Sequence, residues 1–140
     1  MVLSTHLKDR LEKIEELIVK LQEEASDGKP IVVEGKKDAE ALVCLGIEGE
    51  ILTLKTGGES FLDKTQQIEA LKVGEVILLL DYDRRGREYT KRLQSDLEHV
   101  KVKANTIWWR ELHGLVGREV QCVESLPRYL ETLKVKIASG

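Results

Sequence analysis

Fully apolar runs of three to five residues alternate along the chain with longer stretches in which apolar residues recur every three or four positions. The runs at 31–33 and 76–80 contain only valine, isoleucine and leucine, which is typical of strands buried on both faces of a parallel sheet. Strands separated by helices indicate right-handed crossovers with helices on both faces of the sheet. We therefore predict an α/β fold with about four parallel strands. The predicted strands are 31–34, 51–54, 76–81 and 102–107, and the predicted helices between them are 39–45, 61–72 and 84–100.

An amphipathic helix is predicted before the first strand, over residues 5–25. Its leucines and isoleucines recur at three- and four-residue spacings, and Ser4 or Thr5 can cap its first turn. Pro30 follows, and it can begin a strand although it cannot continue a helix. This helix is predicted to extend the α/β domain, and an exposed apolar stripe on it would offer a surface to a protein partner.

Length and composition indicate one globular domain. The 140 residues are 34% charged and 41% hydrophobic, and no apolar run approaches the roughly 20 residues needed to cross a bilayer. The first residues lack the basic and apolar regions of a secretory signal, and Cys44 and Cys122 form no disulfide framework or paired metal-ligand spacing. We expect a cytoplasmic protein without membrane contact, in which neither cysteine is a nucleophile.

The net charge of −3 is unevenly distributed. Residues 1–28 account for all of it, so the rest of the chain is neutral. Residues 84–103 carry seven basic and three acidic side chains and begin directly after Asp83. This local positive charge either contacts phosphate or belongs to an ordinary solvated helix face with ion pairs such as Glu88 with Arg92.

Three carboxylates follow the two most apolar runs. Glu34 comes directly after the first run, and Asp81 and Asp83 come directly after the second. Because ligands of parallel sheets collect outside the carboxyl ends of the strands, we expect these side chains to meet there. Crowded carboxylates are relieved by raised pKa values or by a bound cation, and oxygen ligands select Mg²⁺ or Mn²⁺, which also bind phosphate oxygens. The pattern predicts a Mg²⁺ site, with Mn²⁺ as a substitute, that acts on a phosphate ester.

The same residues resemble a known family. Glu34-Gly35 after a first strand, with Asp81-x-Asp83-x-x-Gly86 after a later one, resembles the Toprim family, the catalytic domain shared by topoisomerases, bacterial-type primases, certain nucleases and small stand-alone proteins. Residues 81–87 are similar to the primase version, and residues 32–38 are similar to the version in a ribosomal-RNA maturation nuclease. The resemblance implies a Rossmann-like sheet with an N-terminal amphipathic helix added to it.

The resemblance also implies roles for the matched positions. Asp81 and Asp83 would be Mg²⁺ ligands, and Glu34 would be a metal ligand or a general acid/base, so that all three are candidate catalytic residues. The glycines would let main chain approach phosphate closely, or would serve turn geometry alone. The predicted phosphate contacts are Gly35, Lys36, Arg84, Arg85 and Gly86.

The resemblance divides the chain into two parts. Residues 1–28 form the N-terminal helical extension, and residues 29–140 form the Toprim-like domain. Within that domain the core covers about 30–107, and 108–140 is a C-terminal helical extension. That extension includes a predicted helix at 125–133, whereas 108–123 carry no clear pattern.

Several other residues carry alternative interpretations. Asp38 either joins the metal site or, as we prefer, places a favourable charge at a helix N-terminus. Trp108 and Trp109 form either a base-stacking platform or, as we prefer, part of the core or a self-association surface. Gly57-Gly58 form either a wall of the site or a simple turn. His99 and His113 are predicted to be surface or structural residues.

The leading hypothesis for function is a small Mg²⁺-dependent nuclease that acts on RNA or DNA phosphodiesters. The alternatives are a non-catalytic metal-binding module for nucleic acid or protein, and primase-like nucleotidyl transfer with a partner. A phosphatase with Asp81 as nucleophile is disfavoured by the late position of the motif and by the Arg84-Arg85-Gly86 that follows. The chain is too short for a topoisomerase, and none of its tyrosines has a context that supports strand cleavage.

Overall fold

The computed structural model describes residues 2–54 and 60–140. It contains a parallel sheet flanked by helices on both faces, which confirms the predicted α/β fold with its N-terminal helix. The strands are β1 (Ile31–Val33), β2 (Ile51–Thr53), β3 (Glu75–Leu78) and β4 (Lys103–Asn105). The helices are α1 (Val2–Ser26), α2 (Lys36–Cys44), α3 (Phe61–Ala70), α4 (Arg84–His99), α5 (Ile107–Val116) and α6 (Leu126–Ser139), with single 3₁₀ turns at Gly117–Glu119 and Val123–Ser125.

The strand order β2-β1-β3-β4 places a switch of direction at the centre of the sheet. From β1 the chain passes through α2 to β2 on one side, and then crosses back through α3 to β3 on the other side. All three pairings are parallel, with Ile31 opposite both Ile51 and Ile77. The loops that leave β1 and β3 therefore diverge and open a crevice at the carboxyl ends of these strands, which is where ligands of such sheets bind.

The sheet separates two apolar clusters because successive strand residues point to opposite faces. One cluster joins the sheet to α1, α2, α5 and α6, and the other joins it to α3 and α4. Along β1, β3 and the two residues that follow β3, the first cluster contains Ile31, Val33, Ile77 and Leu79, and the second contains Val32, Val76, Leu78 and Leu80.

Three predicted helix boundaries were wrong. The first helix begins at Val2, three residues before the predicted start, so Ser4 and Thr5 lie within it. The third helix ends at Ala70 and not at 72, since Lys72 adopts a left-handed φ of 55° that a helix cannot continue. The last helix extends six residues beyond the predicted 133, to Ser139.

The segment after β4 differs most from the sequence prediction. The predicted strand at 102–107 is confined to Lys103–Asn105, and the previously unassigned residues form α5. The side chain of Asn105 turns the chain, because its Oδ1 accepts a hydrogen bond from Ile107 N at 2.8 Å while its Nδ2 donates to Glu75 Oε2 at 2.9 Å. A polar side chain at the end of a short strand thus starts the next helix.

The helix α1 packs against α5 and α6 within the same apolar cluster as the sheet. Ile14 is fully buried, and Leu17 and Leu21 are buried beside it. Its apolar stripe is therefore covered by this chain, which weakens the hypothesis that the stripe receives a protein partner. No helix in residues 2–54 or 60–140 has the length and apolar character needed to span a membrane.

We predict that the core depends on α1. The substitution Ile14→Ala should lower the free energy of unfolding by about 2–5 kcal/mol, because it removes fully buried methyl groups and leaves a cavity. The control Val19→Ala, at a half-exposed position of the same helix, should change it by less than about 0.5 kcal/mol. Urea denaturation measures both values, and equal effects would mean that α1 does not pack as described.

Candidate metal centre

A side chain continues the hydrogen-bond ladder between β1 and β3 beyond the strands themselves. The amides of Ile77 and Leu79 donate to main-chain carbonyls of the β1 segment at 2.8 and 2.9 Å. The next amide in this series, Asp81 N, donates to Glu34 Oε2 at 2.9 Å. The carboxylate of Glu34 therefore takes the place of a main-chain acceptor and joins the two strand ends at the crevice.

The Glu34 carboxylate is buried, with a side chain only 1% exposed. Its second oxygen, Oε1, and Asp81 Oδ1 are buried and have no hydrogen-bond donor among the described residues. Oxygens of Glu34, Asp81 and Asp83 lie within 4.8 Å of one another. The structure thus brings together the three carboxylates that the sequence predicts, and two of their oxygens need either a proton or a cation.

Asp83 reaches this cluster from a helix and not from a strand. It is the N-cap of α4, and its Oδ1 accepts a hydrogen bond from Gly86 N at 2.7 Å. The predicted strand 76–81 ends at Leu78 instead, so the chain has left the sheet before Asp81 and turns into the helix at Asp83. One carboxylate oxygen of Asp83 is used for capping, and its side chain is exposed.

Burial among neighbouring carboxylates raises the pKa of Asp81 to about 8. Burial is the largest cause, because it disfavours the charged form. A hydrogen bond shared with Glu34 and the charges of Glu34, Asp38 and Asp83 raise the pKa further. The same surroundings that hold a proton on Asp81 at neutral pH also favour a cation that neutralises several of these carboxylates.

Gly86 permits a close approach of main chain, and the main chain that it approaches is that of Asp81, not a bound phosphate. A Cβ atom at this position would lie 2.1 Å from Asp81 O, a distance that real atoms do not adopt. At Gly35 a Cβ atom would meet only Asp38 Oδ2, at an ordinary 3.7 Å, so nothing described there requires glycine. Lys36, the next residue, is exposed at the start of α2.

The C-terminal segment fixes the loop that carries Asp81 and Asp83. Trp109 Nε1 donates to Leu80 O, the Tyr82 hydroxyl donates to Trp109 O, and Tyr82 N donates to Gln121 O, each at 2.7 Å. The Tyr82 ring also stacks between Trp109 and His113, at centroid distances of 5.3 and 4.5 Å. We call the residues Trp109, His113 and Gln121 the loop clamp. The sequence offered one signal for it, a tryptophan pair in a chain poor in aromatic residues.

Asp38 links the same segment to α2. Its Oδ2 accepts from Gly35 N at 3.1 Å, which supports its predicted place at a helix start, and its Oδ1 accepts from Glu124 N at 2.8 Å. Asp38, Asp81 and Cys122 offer ligand atoms within 4.8 Å of one another, a grouping that their spacing in the sequence does not reveal. Burial raises the pKa of the Cys122 thiol.

The basic side chains beside the cluster are exposed. Arg84 and Arg85 begin α4, and Arg84 Nε lies 3.2 Å from Glu88 Oε1. Glu88 therefore pairs with Arg84, and its predicted pairing with Arg92 was wrong because the Arg92 guanidinium lies over an aromatic ring. Arg85 lies over the ring of Tyr89.

The remaining predictions have mixed outcomes. Trp108 and Trp109 are partly buried against the apolar cluster that contains α1, which agrees with the preferred core interpretation. His99 Nδ1 donates a hydrogen bond to Ser95 O at 2.8 Å, within its own helix. Gly57-Gly58 lie outside the described residues.

A sequence match extends over the three carboxylates and the strands that precede them. The profile of the Toprim domain matches residues 29–108, which include every carboxylate of the cluster. The chain belongs to the Toprim domain family. The resemblance carried by the two strand-end motifs is thereby confirmed. The loop clamp, by contrast, lies beyond the matched residues.

Relatives of similar length share most of the chain. The UPF0292 protein of Methanocaldococcus jannaschii is 39% identical over 120 residues, which are 85% of this chain and 91% of that protein. The UPF0292 protein of Methanosarcina barkeri is 36% identical over 129 residues, which are 92% of this chain and 88% of that protein. The solved structure of a protein from Aquifex aeolicus superimposes with a TM-score of 0.66 at 26% identity, covering 79% of this chain and 94% of that one.

Membership in the Toprim family indicates a metal-dependent function related to nucleic acids, since Toprim domains bind Mg²⁺ through acidic residues. The donor set fits such an ion, because all three groups are carboxylates and two of their buried oxygens have no donor in the described part of the chain. The residues suited to hold Mg²⁺ are Glu34, Asp81 and Asp83.

The raised pKa of Asp81 predicts an unusual dependence of stability on pH. In the unfolded chain Asp81 loses its proton near pH 4, whereas in the folded Toprim domain it does so at about pH 8. The folded state therefore holds more protons between these values, and the metal-free protein should lose stability as pH rises from about 4 to about 8. Urea denaturation in EDTA measures this, and Asp81→Asn should remove the decline.

Mg²⁺ should reverse the decline, because it binds the deprotonated carboxylates. The increase in stability on adding Mg²⁺ should accordingly be larger at pH 8 than at pH 5. A Mg²⁺ effect that is equal at both values, or that persists in Asp81→Asn, would contradict the assignment of these ligands.

Gly86→Ala should damage the site and the fold together. The added Cβ atom must push the start of α4 away from Asp81 O, so we expect a loss of about 2 kcal/mol or more in the free energy of unfolding. The control is Gly114→Ala in α5, where a Cβ atom meets nothing within 4 Å and should stabilise the helix by about 0.5–1 kcal/mol. Urea denaturation and Mn²⁺ titration of both variants test this, and a Gly86→Ala variant with unchanged Mn²⁺ affinity would count against it.

Proposed function

We propose that this protein is a small Mg²⁺-dependent nuclease that cleaves RNA or DNA phosphodiesters. The observation that carries the proposal is the group of three carboxylates, with two donor-free buried oxygens, at the switch point of the sheet. Exposed cations at the start of α4 lie directly beside it in the chain. A site with these charges suits a ligand that is itself anionic and that brings or shares a divalent cation.

In this proposal Glu34, Asp81 and Asp83 hold the ion. When bound, Mg²⁺ would neutralise charge on the phosphoryl group and lower the pKa of a bound water. Asp83 is suited to the task because its second oxygen remains available while the first caps α4. The loop clamp supports these ligands by fixing the main chain on either side of Asp81.

The side chain of Glu34 also has the features of a general acid/base. Its Oε2 is held by Asp81 N, so the carboxylate has a fixed orientation, and its Oε1 has no described donor and can take or return a proton. Lys36, Arg84 and Arg85 are the proposed phosphate contacts, since their side chains are exposed at two helix starts.

The proposed glycine contacts are less direct. The amide of Gly86 already donates to Asp83 Oδ1, so in this proposal Gly86 acts by letting the helix approach Asp81. The amide of Gly35 donates to Asp38 in the same way. Gly86 would thus shape the phosphate site through the close main-chain approach that it allows, and Gly35 would do so through an amide that is already bonded to Asp38.

We predict metal-dependent cleavage that requires the aspartates. The wild-type protein should cut at least one of three labelled substrates, structured RNA, single-stranded RNA or duplex DNA, in Mn²⁺ or Mg²⁺. The variant Asp81→Ala/Asp83→Ala should be slower by about a thousand-fold, because it loses several kcal/mol of charge stabilisation in the transition state. The control Asp9→Ala/Asp27→Ala removes the same charge from the exposed surface of the N-terminal region and should retain full activity.

Other outcomes would decide between the alternatives. Wild-type protein that binds Mn²⁺ tightly but leaves every substrate intact would contradict the nuclease and favour a non-catalytic module. Incorporation of labelled nucleotides in the presence of a partner would instead indicate primase-like transfer at the same three carboxylates.

A further inference from the structure

Two guanidinium groups flank two aromatic rings along the first half of α4, and α3 contributes one of the rings. The Arg85 guanidinium lies 5.9 Å from the centroid of the Tyr89 ring, and the Arg92 guanidinium lies 4.5 Å from the centroid of the Phe61 ring. Between them the two rings meet edge to face, with centroids 5.1 Å apart and planes at 67°. We call the residues Arg85, Tyr89, Phe61 and Arg92 the arginine–aromatic row.

The rings of this row are anchored and its cations are exposed. Phe61 and Tyr89 are partly buried and pack against the apolar cluster beneath α3 and α4. The side chain of Arg92 is 64% exposed, although its Nε also lies 3.9 Å from Asp96 Oδ2. Contact with a fixed ring restrains each guanidinium, so that less side-chain entropy is lost when a ligand binds to it.

Positive charge is concentrated at the end of α4 that meets the metal centre. Five of the nine residues from 84 to 92 are basic and one is acidic, whereas Asp96 and Glu98 follow in the second half of the helix. Arg87 and Lys91 are exposed and form no ion pair with residues 2–54 or 60–140. These two cations thus lie in the turns that directly follow the Asp83 cap.

We propose that the arginine–aromatic row binds single-stranded nucleic acid and guides it to the metal centre. This inference rests on the proposed function, because it takes nucleic acid as the ligand and names its form. Unpaired bases stack on guanidinium planes and aromatic rings, while the exposed cations contact phosphates. A duplex hides the faces of its bases, so it can use the charges but not the stacking surfaces.

The dimensions of the row match a short piece of strand. Arg85 and Arg92 are seven residues apart on a helix, a distance of roughly 10 Å, which equals about three stacked bases at 3.4 Å each. Arg85 lies two residues after Asp83, so a strand that follows the row arrives at the carboxylates. The opposite face of the sheet, covered by α1, α2, α5 and α6, has no part in this path.

Binding is measured with a fluorescent single strand of about 12 nucleotides, made as RNA and as DNA, and with the corresponding duplex. Ca²⁺ replaces Mg²⁺ so that affinity is measured without dependence on cleavage. Wild-type protein should bind the single strand at least about tenfold more tightly than the duplex, since each stacked base adds a factor of roughly ten or more. The RNA and DNA strands show which sugar the surface prefers.

Two double variants separate stacking from charge. Arg85→Gln/Arg92→Gln should weaken single-strand binding by about 10- to 100-fold and reduce the salt-dependence slope by about 1.4. Arg85→Lys/Arg92→Lys keeps both charges, so its slope should remain that of the wild type while affinity for the single strand falls by about tenfold. Binding of duplex should change little in the lysine variant.

The matched control is Arg118→Gln/Arg128→Gln, which removes two exposed cations from the C-terminal segment, away from α4. It should bind like the wild type, and thermal unfolding of every variant should confirm that the fold is intact. The inference is overturned if wild-type protein does not prefer the single strand, if the lysine variant binds as tightly as wild type, or if the control loses as much affinity as the glutamine variant.

Failure of this inference differs from failure of the proposed nuclease. Cleavage in Mg²⁺ that is unaffected by the arginine substitutions would leave the nuclease in place and remove the arginine–aromatic row from substrate binding. Preferential, row-dependent binding without cleavage in Mg²⁺ or Mn²⁺ would retain the binding surface and contradict the nuclease.

Discussion

The hydrogen bond from Asp81 N to Glu34 Oε2 fixes the edge of the sheet on which the candidate metal centre is built. It continues the ladder between the two central strands with a side-chain oxygen, at the place where their loops begin to diverge. A main-chain acceptor would complete the same ladder but would add no charge. Because the acceptor is a carboxylate, a negative group is buried beside Asp81. Glu34 Oε1 and Asp81 Oδ1 then form a pair of oxygens to which each strand end contributes one.

The use of a carboxylate at this position couples folding to whether the site holds a proton or a cation. Buried oxygens without donors are costly, and here the cost is relieved by a proton on Asp81 or by a cation. The surrounding structure must hold the carboxylates together against their mutual repulsion. Gly86 does so from the α4 side by close main-chain contact, and the loop clamp does so from the α5 side through Tyr82. Because neither contact depends on a bound ion, the site is rigid before an ion binds.

The sequence predicts the strands and the acidic ends well for a physical reason. A strand buried on both faces requires an uninterrupted apolar run, so the residue that breaks the run marks the edge, as Glu34 does after Val33. The loop clamp could not be predicted in this way, because its acceptors are the main-chain carbonyls of Leu80 and Gln121, which every residue type possesses. Gly86 is an intermediate case. Its identity signals a close approach, but only the structure identifies Asp81 O as the atom approached.

The loop from Leu80 to Asp83 joins the two layers of helices, and this explains how the segment after residue 108 supports the Toprim domain of this chain. The Leu80 side chain packs toward α3 and α4 while its carbonyl is held by Trp109 from the other layer. Tyr82 is fixed entirely by the clamp, whereas Asp83 starts α4 and with it the exposed basic face. The two layers therefore have different tasks. The layer that contains α5 stiffens the loop with the candidate metal ligands, and the layer that contains α4 leaves its basic surface free for a ligand. A defect in either layer should therefore reach the carboxylates through residues 80–83.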